Sequence, residues 1–482
     1  MQIDEGVIRS VVQEVLDALE RTGAAGSVGP TIITPGSAPK GPLPPGVFEN
    51  VDDAVAAARR AHEQLIGLTL ERRKEIIAAL RRAGLTHAAE LARRTVEETK
   101  LGRVEDKIAK FKVVAEKTPG PEILEPRAVT GDHGLTVTEL APFGVCVAVT
   151  PVTHPVPTLL NNAISMVSAG NGVVFNAHPA SKGVFADAIG LFNRAIQDAG
   201  GPPNLLTCVK EPTIETGQAL FHHKGVNLIL VTGGPGVVKE ALRAPKRAIC
   251  AGPGNPPVVV DETADISRAA RDIIVGGSFD NNVLCTAEKE IFVVGSVADQ
   301  LIHEMLQRGC VQLTPVQIDA LARVAFDHTD GGHPRVSRDL VGRCADVLGR
   351  AIGLEVPPST RLLIGETSFD HVFVQGEQLM PFMPIVRVRD VHEAIDKAIA
   401  AEHGFRHTCM IHSKNIEHMH IFAKRANCSI FVKNGPNLAG LGAGGEGYTS
   451  FSIAGTTGEG ITTARTFSRE RRCALVDYFR IV

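Results

Sequence analysis

The chain runs to 482 residues, too many for one ordinary core, so two or three domains are expected. With 44% hydrophobic and 21% charged residues, its composition is globular rather than disordered. The formal net charge of −3, without a long basic run, argues against nucleic acid or an anionic membrane as partner, and no apolar stretch is long enough to span a bilayer.

Residues 1–20 place Ile8, Val11, Val12, Val15 and Leu19 at helical spacing, with Arg9, Gln13, Glu14 and Asp17 on the other face. Residues 21–46 are rich in Gly, Pro, Ser and Ala and read as a flexible linker. An amphipathic helix on a leash is expected to dock on another protein surface. Its polar face carries too few basic residues for a membrane helix, and the N-terminus lacks the pattern of a secretory signal. Residues 51–118 are mostly helical by pattern, and "TGDHGLTVTELAPFG" reads as a hairpin arm. From 145 onward apolar strand-like runs ("GVCVAVT", "GVVFNA", "LLTCVK", "VNLILVTG") alternate with helical ones, which predicts βαβ units on a parallel sheet. A second alternating block spans about 258–445. No internal repeat is evident.

Three stretches carry chemistry. "VNLILV" runs into "TGGPG" (232–236) and then "VVKEALR", a strand, Gly-rich turn and helix whose N-terminus suits a phosphate, although the spacing is not GxGxxG. "AGPGNPP" (251–257) fixes a rigid loop. "SFDNNVLCTAEKE" (278–290) sets Cys285 between a helix marked by Ile266, Ala270, Ile273 and Ile274 and the strand-like "EIFVV". Nine dispersed cysteines without a CxxC pair argue against a disulfide framework or a metal site and for a reducing cytoplasm, where thiols stay available. By position alone Cys285 reads equally as a nucleophile or an inert core thiol. Glu288 and Lys289 read as part of an ordinary charged face, and Arg471 and Arg472 in "RERRC" as a solvated or interface run.

Six stretches in order, "PFGVCVAVTPVTHP", "VTGGPGVV", "AGPGNPPVVVD", "SFDNNVLCTAEKE", "GFRHTCMIHS" and "GAGGEGYTSFSIAGTTGEGITTARTFSRERRC", resemble the aldehyde dehydrogenase superfamily. They are most similar to its CoA-acylating branch, the propionaldehyde and acetaldehyde dehydrogenases of propanediol- and ethanolamine-utilising bacterial microcompartments. The resemblance implies an α/β fold of two Rossmann-like domains plus a β-hairpin oligomerisation arm. The NAD/CoA-binding domain would take 47–120 and 145–250, the catalytic domain 251–445, and the arm and C-terminal tail 121–144 and 446–482, in a homodimer or homotetramer. Cys285 is implied as the nucleophile that forms a thiohemiacetal and then a thioester. Thr153 stands where hydrolytic relatives carry the oxyanion asparagine of "PWNFP", and His154 follows it. Asn176 replaces the ribose-binding lysine, with His178 two residues on, and Thr232, Gly233, Gly234 and Gly236 are implied at the cofactor's phosphate and nicotinamide side. The general-base glutamate of "ELGGK" aligns with Ala251. Without that carboxylate the implied acyl acceptor is CoA, whose thiol ionises far more easily than water. The expected reaction converts a short-chain aldehyde, such as propionaldehyde, with NAD and CoA to acyl-CoA and NADH, in the cytoplasm inside a microcompartment, with residues 1–20 docking on shell or core proteins. The alternatives are a hydrolytic NAD-dependent aldehyde dehydrogenase and a non-catalytic assembly protein.

Overall fold

Apolar runs that do not alternate with polar residues belong in strands covered on both faces, and they form the centres of two parallel sheets. The computed structural model describes residues 43–327 and 335–482, and the helix expected over 1–20 lies outside them. The first sheet has six strands in the order Val47–Phe48, Leu206–Val209, Gly172–Asn176, Val145–Val149, Leu228–Thr232, Ala248–Ala251, every neighbour parallel. The second has seven, in the order Val311–Gln312, Leu363–Glu366, Phe382–Val388, Glu290–Val294, Pro257–Val260, Thr408–His412, Ile430–Lys433, also parallel throughout.

Helices cover both sheets. Their starts carry the expected side-chain acceptors: Asn50 accepts from the Asp53 N–H, Thr69 from that of Arg72, and Asp265 from that of Arg268. The helix Pro155–Ser168 is buried along its whole length behind the first sheet. Among the described residues no helix is long and apolar enough to cross a membrane.

Two boundaries differ from the sequence reading. The linker expected to reach 46 gives way to packed chain at Leu43, where the Val47 N–H donates to the Pro44 carbonyl and Asn193 Nδ2 to that of Pro45. The tail expected from 446 joins the arm only at its end. Ser468–Val476 is the third strand of an antiparallel sheet with Gly134–Pro142 and Arg127–Gly131. The residues before it return to the first domain. Phe451, Ala454 and Phe467 fill its core, while Ser452 Oγ bonds Asn162 Oδ1 at 3.0 Å and Thr457 Oγ1 accepts the Cys250 N–H at 3.0 Å. This run is rich in Ser, Thr and Gly, so its sequence gives no apolar period to reveal the burial.

Candidate active site

Parallel topology sends the carboxyl ends of neighbouring strands to one edge of a sheet. In the first sheet, strands 145–149, 172–176, 228–232 and 248–251 end there, so Thr153, His154, Asn176, His178, the 232–236 turn and Ala251 share an edge. In the second sheet, strands 257–260, 290–294, 382–388 and 408–412 begin after Gly254, Cys285, Glu377 and His407 respectively. The 251–257 loop runs from the carboxyl edge of one sheet to the amino edge of the other. The candidate centre sits at that junction.

Cys285 is half-buried at the end of an unusual turn. Asp280, Asn281 and Asn282 have φ of 49°, 54° and 65°, three successive left-handed residues of the types that tolerate this region best. Side-chain bonds hold the turn. Asn282 Nδ2 donates to the Gly277 and Glu288 carbonyls, each at 2.8 Å, and Asn281 Nδ2 donates to the Gly342 carbonyl at 2.9 Å. Lys289 Nζ donates to the Asn282 and Leu284 carbonyls at 2.9 and 3.1 Å.

The run 288–290 is not a charged face. Glu288, Lys289 and Glu290 are all buried. Strand 290–294 lies between 257–260 and 382–388 in the sheet interior, so neither of its faces meets water. Glu288 accepts from Asn437 N and Nδ2 at 2.8 and 2.6 Å, and burial lifts its carboxyl to about 7. Among the described residues the Glu290 oxygens have no hydrogen-bond partner, and burial raises that carboxyl well above its usual range. Arg471 and Arg472 are exposed on strand 468–476.

Two groups at the centre escaped the sequence reading because they arrive from distant strands. Glu377 is half-buried, and burial lifts its carboxyl to about 7. His407 is buried and held down to about 4 by desolvation and the Lys289 charge, so its ring is neutral. A Cβ placed on Gly254 would lie 2.8 Å from the Cys285 carbonyl oxygen and 3.0 Å from His407 Cγ, so both residues close in on the Gly254 position and leave no room for a side chain there. Burial and then the Glu377 charge push the Cys285 thiol up to about 12, while Lys289, the cysteine's own backbone N–H and Lys110 pull it down. The resting thiol is protonated.

Thr153 is half-buried, and its Oγ1 lies 2.9 Å from Nδ1 of the buried His154, whose ring packs edge-on against Phe451 with centroids 5.4 Å apart. Burial first, then Lys110 and Lys107, hold His154 well below its ordinary value, in the neutral form. Lys107 Nζ donates to the Thr153 carbonyl at 3.0 Å and pairs with Asp280 at 2.9 Å, which links this corner to the Cys285 turn.

The remaining expected residues lie along the first sheet's edge. Thr232 Oγ1 is 2.6 Å from Ser452 Oγ and the Gly233 N–H donates to the Ala251 carbonyl at 3.1 Å. Gly234 and Gly236 have open space where a Cβ would stand, at the start of helix Pro235–Arg243. Beside them a cavity of about 390 Å³ is lined chiefly by Pro235, Val238, Leu242, Pro253 and Phe405. Asn176 is buried with its amide engaged: Oδ1 accepts from Thr216 Oγ1 at 2.9 Å and Nδ2 reaches the Thr213 carbonyl at 3.4 Å. His178 Nδ1 accepts the Ala180 N–H at 3.2 Å as a helix-entry residue. The structure thus links the Thr153–His154 corner to the Cys285 turn through Lys107 and Asp280, sets the Gly turn beside an open cavity, and engages Asn176 and His178 in hydrogen bonds within the fold.

A family model described as "Aldehyde dehydrogenase family" matches residues 42–314. The chain is 53% identical over 439 residues to the acetaldehyde dehydrogenase (acetylating) EutE of Salmonella typhimurium, covering 91% of this chain and 94% of that one. It superposes with a TM-score of 0.88 on a propionaldehyde dehydrogenase from the Clostridium phytofermentans fucose utilisation bacterial microcompartment, at 43% identity over 91% of this chain and 100% of that one. A Rhodopseudomonas palustris propionaldehyde dehydrogenase solved with bound CoA and an acylated cysteine matches with a TM-score of 0.86 at 43% identity, covering 90% of this chain and 98% of that one.

Proposed function

Because the chain belongs to the aldehyde dehydrogenase family, we propose that it is a CoA-acylating aldehyde dehydrogenase acting through Cys285. Aldehyde, NAD⁺ and CoA give acyl-CoA, NADH and a proton. The carrying observation is the 251–257 loop: it passes so close to Cys285 that a Cβ at Gly254 would clash with the Cys285 carbonyl, yet position 251 offers alanine where a water-activating carboxylate would stand. The names of the relatives agree with this reading and point to acetaldehyde or propionaldehyde as the substrate.

The chain's own groups account for most of the chemistry. A resting thiol needs a proton acceptor before it can attack, and we assign that role to the neutral ring of His407, which packs against the Gly254 position from beside the Cys285 carbonyl. The backbone N–H of Cys285 is one donor for the oxyanion that forms on attack. Thr153 is the second. When His154 carries its proton on Nδ1, it donates to Thr153 Oγ1 and leaves the Thr153 hydroxyl hydrogen free for the substrate oxygen. Gly234, Gly236 and the adjoining cavity have the space and the helix N-terminus to hold a nucleotide. The nicotinamide, when bound, supplies the hydride acceptor. Asn176 keeps its amide for Thr213 and Thr216, so the ribose grip assigned to it is loose. The thioester left on Cys285 then passes its acyl group to the CoA thiolate.

A hydrolytic reading has one observation in its favour, the carboxylate of Glu377 facing Cys285. One assay separates the two: NADH formation from propionaldehyde with and without CoA, with acid and acyl-CoA both quantified. CoA-dependent turnover that vanishes in Cys285→Ala supports acyl transfer, whereas acid release as fast as acyl-CoA release supports hydrolysis. Residues 1–20 are proposed to dock the enzyme on a microcompartment shell or core protein. The sheet of 127–131, 134–142 and 468–476, with exposed Leu475, Val476, Tyr478 and Phe479, is proposed as the dimer or tetramer contact. A reporter fused to residues 1–20 that stays diffuse in shell-producing cells would refute the docking role, and a monomer in sedimentation would refute the contact.

A further inference from the structure

Two lysines on the buried stripe of one helix are unusual, since an ammonium group is almost never fully buried without a partner. Helix Val104–Lys117 buries Lys107 and Lys110 together with Phe111 and Val114. Asp280 partners both lysines. Lys107 Nζ lies 2.9 Å from Asp280 Oδ2, and Lys110 Nζ binds the same oxygen. The Arg103 N–H donates to Asp280 Oδ1 at 2.7 Å, and Lys110 Nζ also stands 5.9 Å from the Phe279 ring centroid. The nearest other carboxylate, Asp106, is already engaged: it accepts the Asp280 N–H at 2.9 Å and pairs with Arg361 at 3.0 Å. Two ammonium groups therefore share one carboxylate, five residues before Cys285. The bond from Lys107 to the Thr153 carbonyl carries the same cluster to the opposite wall of the site.

We infer that Lys107, Lys110 and Asp280 are positioning residues: Asp280 and Lys107 set the spacing between the Thr153 corner and the nucleophile turn, and Lys110 supplies the excess positive charge that favours the Cys285 thiolate. This deepens the acyl-transfer reading above and rests on it. A charge held away from water acts over several ångströms with little screening. The charged groups facing Cys285 are Glu377, which opposes the thiolate, and Lys289 and Lys110, which favour it. Lys289 spends its three donors on Asn282 and Leu284, whereas the carboxylate that Lys110 binds is shared with Lys107. Burial holds Lys110 down to about 8 against the pull of Asp280, so its charge is present through neutral pH and fades above it.

The test follows the rate of Cys285 alkylation by iodoacetamide against pH on the full-length enzyme, with the Cys285 peptide quantified by mass spectrometry. Lys110→Met should slow alkylation several-fold at neutral pH, with the two rates converging at higher pH where Lys110 has lost its charge, while Lys110→Arg should keep the wild-type rate at neutral pH. Lys110→Gln carries the same expectation should the methionine variant not fold. Lys107→Met should lower kcat roughly tenfold or more with aldehyde KM nearly unchanged, because the Thr153 wall loses its tether. An unshifted alkylation profile in a folded Lys110 variant overturns the charge role, and a Lys107→Met effect confined to KM overturns the spacing role. Alkylation needs neither aldehyde nor CoA, so its outcome is independent of whether the wild type proves to transfer its acyl group to CoA or to water.

Discussion

Gly254→Ala is the smallest change that reaches the nucleophile through the backbone. The added methyl would stand 2.8 Å from the Cys285 carbonyl oxygen and 3.0 Å from His407 Cγ, where ordinary contact begins at 3.4 Å. Restoring contact therefore needs about 0.6 Å of relief at the Cys285 carbonyl and about 0.4 Å at the His407 ring, differences taken from those same distances. The 251–257 loop cannot retreat freely, because Asn255 Nδ2 is anchored to the Val374 and Ala401 carbonyls, each at 2.9 Å. Misplacement of a reacting group by about 1 Å costs on the order of 100-fold in rate, so a shift of this size should cost roughly tenfold or more in kcat/KM. Overpacking should lower stability by about 1–3 kcal/mol, offset in part by the lower entropy of the unfolded alanine chain. Steady-state NADH formation and thermal unfolding read the two effects separately. A folded variant with kcat/KM within about twofold of wild type would refute the claim that Gly254 sets the position of Cys285.

Three further outcomes follow from the charges and the boundary. Glu377→Gln removes the carboxylate that raises the Cys285 thiol; because that carboxyl is lifted to about 7, alkylation should be several-fold faster than wild type at pH 8 and equal to it at pH 6, and equal rates at both would contradict the pairing. Glu290 has its folded-state value raised above the unfolded one, so wild type loses stability as pH climbs past about 4.3, by up to about 1.4 kcal/mol per unit; Glu290→Gln should show a difference from wild type that is flat below that pH and moves in its favour above it, and parallel curves of Tm against pH would show the carboxyl is ionised in the fold. Removal of residues 1–42 should leave turnover and oligomeric state unchanged while abolishing co-sedimentation with shells, whereas a cut at 46 should also cost stability through the lost Leu43 and Pro45 contacts.

The strands were legible because both-face burial writes itself as continuous apolar sequence: "VCVAV", "LILVT" and "EIFVV" all became central strands. Cys285 was legible only through the resemblance carried by "SFDNNVLCTAEKE", since Cys310 and Cys428 also stand between a helix and a strand. The charges around it were not. Glu288, Lys289 and Glu290 look like a solvated run until strand 382–388 covers them, and nothing local announces that pairing. Glu377 and His407 stand at the starts of strands more than ninety residues downstream of Cys285, and only sheet order brings them back. Lys107 and Lys110 did leave a sign: they fall at helical spacing with Phe111 and Val114, so two lysines occupy a stripe that should be apolar. The 449–467 return left none, since hydroxyl side chains satisfied by Asn162, Thr232 and the Cys250 N–H read as loop.

The central claim is that an acyl group on Cys285 waits for a thiol because alanine stands at position 251, where a water-activating carboxylate would be. Mixing wild-type enzyme with propionaldehyde and NAD⁺ in the absence of CoA, then following NADH and the intact mass of the protein, tests this most directly. The account predicts a stoichiometric burst of NADH, a stable propionyl adduct on Cys285 and no further turnover until CoA is added, when the adduct disappears and propionyl-CoA forms. Continued NADH production with propionate accumulating and no adduct on Cys285 would contradict it.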